Sequence, residues 1–266
     1  MSAPTSTDHL EDLRSVRPRP EHRLAGPMVS AGLLAVLCGE ADAAPADLAG
    51  EPGRDQLVAS GWFTADGAPT ARTAELRREL GESRTSLTLR RTDAAGEHRG
   101  WVCAGPHVAV VGLEERALAY SDDLEKTPRG AMTFEVVPVS ALPIVLARWG
   151  GLAPTWNYDD PHDLSDVAAV EARLLDATVP PPADADPGLR SLWAGSWSRW
   201  SIRVPATQAA LEYLCVADVG HYMVRRRTAG GTVLAPRPGS LVWGDLQKLV
   251  AALPGQVDED QDAVGW

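Results

Sequence analysis

Two stretches of this chain repeat one another at an offset of 100 residues: 133–154, TFEVVPVSALPIVLARWGGLAP, and 232–254, TVLAPRPGSLVWGDLQKLVAALP. Ser140 answers to Ser240, Leu142 to Val242, Leu146 to Leu246, Arg148 to Lys248 and Pro154 to Pro254. Each copy reads as a β-rich run, a proline break, a serine placed to cap a helix, an apolar-periodic helix and a terminating proline. A chain that holds one folding unit twice must seat both copies in equivalent surroundings. Pseudo-twofold symmetry is therefore expected, and with it a scaffold rather than a catalytic pocket.

The 266 residues are enough for a substantial core, as one α+β domain or two intimate halves. A net charge of -11 runs against general nucleic-acid affinity, which needs clustered Lys and Arg to meet phosphates. Cys38, Cys103 and Cys215 are odd in number and set in apolar runs, which suits buried free thiols in a reducing cytosol and no disulfide framework. The first residues lack the apolar stretch of a signal peptide and no run is long enough to span a membrane, so a cytoplasmic protein is expected. Nine Trp against two Phe suggests that some indoles lie at a surface or contact seam.

Along the chain, residues 1–26 read as a disordered polar leader, 27–255 as one domain with halves 27–154 and 155–255, and 256–266 as an acidic tail. SAGLLAVLCG is continuously apolar and could be a buried strand or the start of a helix. Residues 54–80 carry two helical patterns around the Asp66-Gly67 turn, with Thr70 or Thr73 as a cap. From Ser86 the period changes to two: SLTLRRT, HRGWVCAG, HVAVVGL, RALAYSD and MTFEVVP read as an antiparallel meander closed by a helix at 140–149. A helix near 165–177 follows, with Ser165 as its cap and Val167, Val170, Leu174 and Leu175 on one face. PPPADADPG is a loop, LWAGSWSRWSIRVP changes from helix to strand, and ALEYLCVAD, GHYMVRRRT and GTVLAPRP form a second meander closed by the helix 240–253.

Chemistry is thinly represented. His162-Asp163 beside Asp159 and Asp160 is the nearest thing to a metal cluster, and adjacent acids in a linker more often make a solvated turn. GxSxG, GxxxxGK[ST] and GxGxxG are all absent, and Gly195-Ser196-Trp197-Ser198 lacks the flanking glycines of a nucleophile elbow. Cys103 with His98 or His107 could be drawn as a thiolate pair, the basis of a rival reading as a small hydrolase or thiol enzyme. LVASGWFTADGAPTARTAELRREL resembles part of a winged helix, with Arg72, Arg77 and Arg78 on its second helix, the basis of a DNA-binding rival. No enzyme activity and no cofactor are expected. The charged turn Thr92 to Glu97, with His98 beside it, and the run Arg225 to Arg227 suit recognition instead.

The order of these features over about residues 28–255 resembles the EspG family, cytosolic chaperones of actinobacterial type VII (ESX) secretion. The segments that carry the resemblance are GLLAVLCG, LVASGWFTADGAPT, LTLRRTDAAGEHRGWVCAGPHVAVVGL, VPVSALPIVLARWGGLAP and VADVGHYMVRRRTAGGTVLAPRPGSLVWGDLQKLVAALP. The resemblance implies a pseudo-twofold α+β fold with a central, largely antiparallel sheet and helical bundles. It implies a protein that binds the helical tip of a secreted PE/PPE-like or WXG-like partner, with no nucleic acid and no membrane insertion, as a monomer or homodimer. Carried over to this chain, the partner-binding residues are Asp93, Gly96, Glu97 and His98 of the hairpin and Val242, Leu246 and Leu249 of the last helix. Trp197 joins them as an indole expected at the contact seam.

Overall fold

A computed structural model describes Leu24 and residues 26–41, 50–81, 83–114, 131–152, 161–164, 166–217, 219–228 and 231–253. Nearly all of the expected leader, the expected strand RALAYSD, Asp159 and Asp160, and the acidic tail lie outside the described residues. The first half runs β1 (Met28–Ser30), α1 (Ala31–Cys38), α2 (Arg54–Ala59), α3 (Ala71–Leu80), β2 (Thr85–Asp93), β3 (Gly96–Ala104), β4 (Val108–Glu114), β5 (Ala131–Pro138) and α4 (Leu142–Trp149). The second runs β6 (His162–Leu164), α5 (Val167–Leu175), α6 (Pro187–Trp193), β7 (Trp197–Val204), β8 (Ala209–Val216), β9 (Gly220–Arg226), β10 (Thr232–Arg237) and α7 (Gly239–Ala251).

The strands form one ten-stranded sheet in the order β1-β5-β4-β3-β2-β7-β8-β9-β10-β6, and every neighbouring pair is antiparallel. From the β2–β7 seam outward the two sides repeat the same sequence of strands. On each side a hairpin meander runs out from the seam, and the strand that comes first in that half closes the edge. Each edge strand is followed closely by a helix, α1 or α5, and each meander ends in a helix, α4 or α7. The α+β class and the twofold plan expected from the repeat are both present.

SAGLLAVLCG is a helix after a three-residue strand, not a strand. Ser30 caps α1, its hydroxyl accepting from the Leu33 N–H at 3.2 Å, and Gly39 ends it in the left-handed region at φ 72°. The helix lacks amphipathic spacing because Leu33, Leu34, Val36, Leu37 and Cys38 are all buried. Thr70 precedes α3 without capping it; its hydroxyl donates to Gly61 and Trp62 carbonyls instead. The cap of α5 is Asp166, whose carboxylate accepts from the Ala168 N–H at 2.8 Å; Ser165, the expected cap, lies outside the described residues. Val170 and Leu174 of that helix are buried, while Val167 and Leu175 are exposed.

Alternation along the strands sends residues to two faces. On one face α4 and α7 lie side by side over a core containing Leu87, Leu89, Val102, Trp200, Ile202 and Tyr213. The other face is covered in two places: α1–α3 close over Cys103, Val110 and Phe134, and α5 and α6 over Leu214, Val216 and Tyr222. Between those covers, Thr88, Arg90, Arg99, Arg203 and Glu212 of the central strands stay exposed. Each fully buried Leu or Val contributes about 1.5–3 kcal/mol, so the central core that spans the seam ties the halves together.

Candidate protein-binding surface

The β2–β3 hairpin is paired along its whole length to Asp93↔Gly96. Gly96 turns the chain at φ 123°, and the Asp93 carboxylate accepts from the Ala95 N–H at 2.9 Å. The same carboxylate meets His98 Nε2 at 3.2 Å and Arg91 Nε at 3.6 Å. Partial burial works to raise the Asp93 pKa, but the His98 and Ala95 hydrogen bonds and the His98 and Arg91 charges outweigh it and hold the carboxyl below its usual range. Arg91 also donates to the Trp149 carbonyl at 3.4 Å, fastening the hairpin to the end of α4. His98 is buried. What the tip shows to solvent is Ala94, Ala95 and Glu97, the last accepting from Arg99 Nε at 2.9 Å.

On α7 the expected contact row faces inward: Val242, Leu246 and Leu249 are all buried in the central core. The outward side is Ser240, Leu241, Gln247 and Lys248, with Leu241 at 48% exposure. On α4, Ile144 is 46% exposed. Sequence reasoning missed both; the signal was their position off the row that makes each helix amphipathic. Asp245 anchors α7, accepting from the Tyr213 hydroxyl at 2.5 Å and from Arg237 Nη2 at 2.5 Å. Desolvation, together with the Asp245 hydrogen bond and charge, pushes the Tyr213 phenol up to about 12.

Trp197 is also internal. It is buried, its indole N–H donates to the Leu192 carbonyl at 2.8 Å, and its ring lies 4.9 Å from that of Trp193. Trp62, Trp149 and Trp200 are buried as well, and Trp101 and Trp243 are half-buried. The described indoles therefore build cores rather than a seam.

The groups that suggested catalysis do not converge. His98 and Cys103 are five residues apart on β3, so they point to opposite faces of the sheet. Cys103 lies beside Cys38, both buried, and its hydrogen bond, with burial, raises the Cys38 thiol far above the reactive range. His162 meets Asp186 at 3.1 Å, and that carboxylate caps α6 through the Leu189 N–H at 2.8 Å. Among the described residues no three His, Cys, Asp or Glu side chains could jointly hold a metal. On α3, Arg72 lies 3.8 Å over the Trp62 ring and Arg77 donates to carbonyls at the end of α1. Arg78 pairs with Glu75, so all three arginines of the winged-helix reading have partners within the chain.

No protein-family model matches this chain, and no curated protein does. Among solved structures it is similar to the Mycobacterium tuberculosis type VII secretion system chaperone EspG5 in complex with a PE25-PPE41 dimer. The TM-score is 0.41 at 12% identity, covering 85% of this chain and 95% of that one. A likeness of that size is a loose one of chain course and bears on nothing this protein binds. No helix among the described residues is long and apolar enough to cross a membrane.

Proposed function

We propose that this protein is a cytosolic, non-enzymatic chaperone of the EspG kind. It covers the apolar helical tip of a secreted PE/PPE-like or WXG-like protein, keeps it soluble and directs it to type VII export. The observation that supports the reading is the twofold sheet with its doubled helix-closed unit, the plan that the resemblance of the sequence to that family implies. The partner meets the β2–β3 tip, where Asp93, Gly96 and His98 hold Glu97 in place, and the outward side of α7. There Leu241 supplies apolar surface, as does Ile144 on α4, while Val242, Leu246 and Leu249 hold the helix down. A helical tip that exposes apolar residues aggregates alone, and such a cover removes the liability.

The test is co-expression with a PE/PPE-like pair, reading the soluble fraction of the pair and the stoichiometry by size-exclusion chromatography. A one-to-one complex with the pair is expected, weakened by Leu241→Glu together with Glu97→Lys. A pair no more soluble with this protein than without it overturns the reading.

A further inference from the structure

β8 and β9 are paired only from Leu214↔Tyr222 to Val216↔Gly220. Beyond that short ladder they part. Residues 209–213 continue against β7 and residues 223–226 against β10, so two strand edges face each other across a fork inside the sheet. Among the described residues nothing fills it: Ala209, Ala210 and Glu212 on one prong, and Val224, Arg225 and Arg226 on the other, are exposed. An open strand edge is a template for another extended segment.

The fork is strongly basic. Arg225 and Arg226 line one prong, Arg227 follows them, and exposed Arg203 stands in register with Ala210 of the other. Arg227 pairs with Asp163 at 2.9 Å, and Arg225 reaches only the Met223 sulfur at 3.4 Å. Arg203 and Arg226 meet no carboxylate among the described residues. The acid on the opposite prong, Glu212, is shared with Arg199 at 4.0 Å. In a chain of net charge -11 such a cluster calls for an acidic occupant.

The chain carries one. Five residues past Leu253 comes Asp258, followed by Glu259, Asp260 and Asp262. The bond from Tyr213 to Asp245 fixes α7 against β8. Leu253, eight residues on, lies within about 12 Å of that bond along the helix, and Ala209 lies about 13 Å from it along the strand. An extended segment of about eight residues covers that sum.

We propose that the fork between β8 and β9 is a docking groove for an acidic extended segment, and that its occupant is this chain's own stretch 257–262, laid along the β8 edge with its carboxylates on Arg225, Arg226 and Arg203. The occupied groove closes the gap between β8 and β9.

The test uses the full chain and amide hydrogen exchange over residues 210–213. Replacing Asp258, Glu259, Asp260 and Asp262 by their amides changes nothing in the described core, and it should speed exchange there about tenfold, as should about 0.5 M salt for the natural chain. Arg225→Glu with Arg226→Glu should give the same acceleration, and replacing the four tail acids by Lys in that background should reverse it. Equal exchange in the natural and amide-substituted chains at low salt overturns the proposal. Protection that falls on dilution would place the tail of a second copy in the groove and overturn the assignment to the same chain.

Discussion

The two halves solve one problem by opposite means. In each, helices cover the outer part of the sheet, α1–α3 on one side and α5 and α6 on the other, and leave a helix end whose last carbonyls need donors. In the first half the later helix serves the earlier: Arg77 of α3 donates to Val36 and Leu37 carbonyls of α1. In the second half the earlier helix serves the later, with buried Arg173 of α5 donating to the Trp193 carbonyl at 2.9 Å and the Gly195 carbonyl at 2.6 Å. The architecture is repeated, and the side chains that stabilise it were chosen independently. Symmetry here resides in the backbone plan, so equivalent positions need not be equally sensitive to mutation.

The inequality should be greatest around Trp200. This ring of β7, fully buried and 6.3 Å from Trp149, seats the end of α4. Trp200→Ala should cost about 3–5 kcal/mol, read from urea unfolding, with little change in far-ultraviolet circular dichroism. A smaller loss would mean that α4 is seated by its partner α7 instead.

A titration separates the halves next. His221 is the second residue of β9, where β4 has Ala109, and it is buried with Nε2 3.4 Å from the Gly150 carbonyl. Burial, with the charge of Arg91 adding to it, pushes this imidazole down to about 4. The unfolded chain takes the proton at its ordinary pKa of about 6.5 and the folded chain refuses it until about 4. Stability is therefore fully present above that upper value and is lost as pH falls between the two, by about 3 kcal/mol at most. His221→Phe should remove this part of the slope when melting is followed against pH.

The arginine exchange itself can be broken. Arg173→Leu strands buried carbonyls and should cost about 2–3 kcal/mol, whereas Arg77→Leu, at a half-buried site, should cost about 1 kcal/mol. Equal losses in parallel denaturant titrations would show that the two devices are energetically the same. The smallest effect concerns the helix ends. A Cβ on Gly150 would stand 2.9 Å from Trp200 Cε2, so Gly150→Ala should cost about 1–2 kcal/mol through overpacking. At the 100-residue offset α7 carries buried Val250. The glycine after α4 is thus a packing requirement, and not merely a place where the helix frays.

Much of this plan was legible in residues. Period-two runs between turn signals located β2–β5 and β7–β10, and the doubled Ser140 and Ser240 segments anticipated the twofold plan, though not the order of strands within it. The misreadings have physical causes. α1 has no polar residue: its exposed positions are Ala31 and Gly32, so no helical period shows in its sequence. β1 and β6 are each three residues long, too short for a period to show, and exist because longer neighbours offer them an edge. The stripe Val242, Leu246 and Leu249 marks a helix with one apolar side, and that stripe is what a core takes first. Trp197 followed the same logic, since an indole can bury its ring if its N–H finds a carbonyl.

Those two short strands have a further consequence. A sheet of this width would ordinarily end in long open edges able to recruit the same edge of another copy. Here each side stops in a strand of three residues, and the chain turns at once into α1 or comes within a few residues of α5. Such an end offers too few hydrogen bonds to nucleate an added strand. The assembly has a built-in terminus at both sides, and a concentrated solution of it should resist the edge-to-edge polymerisation that so broad a sheet would otherwise invite.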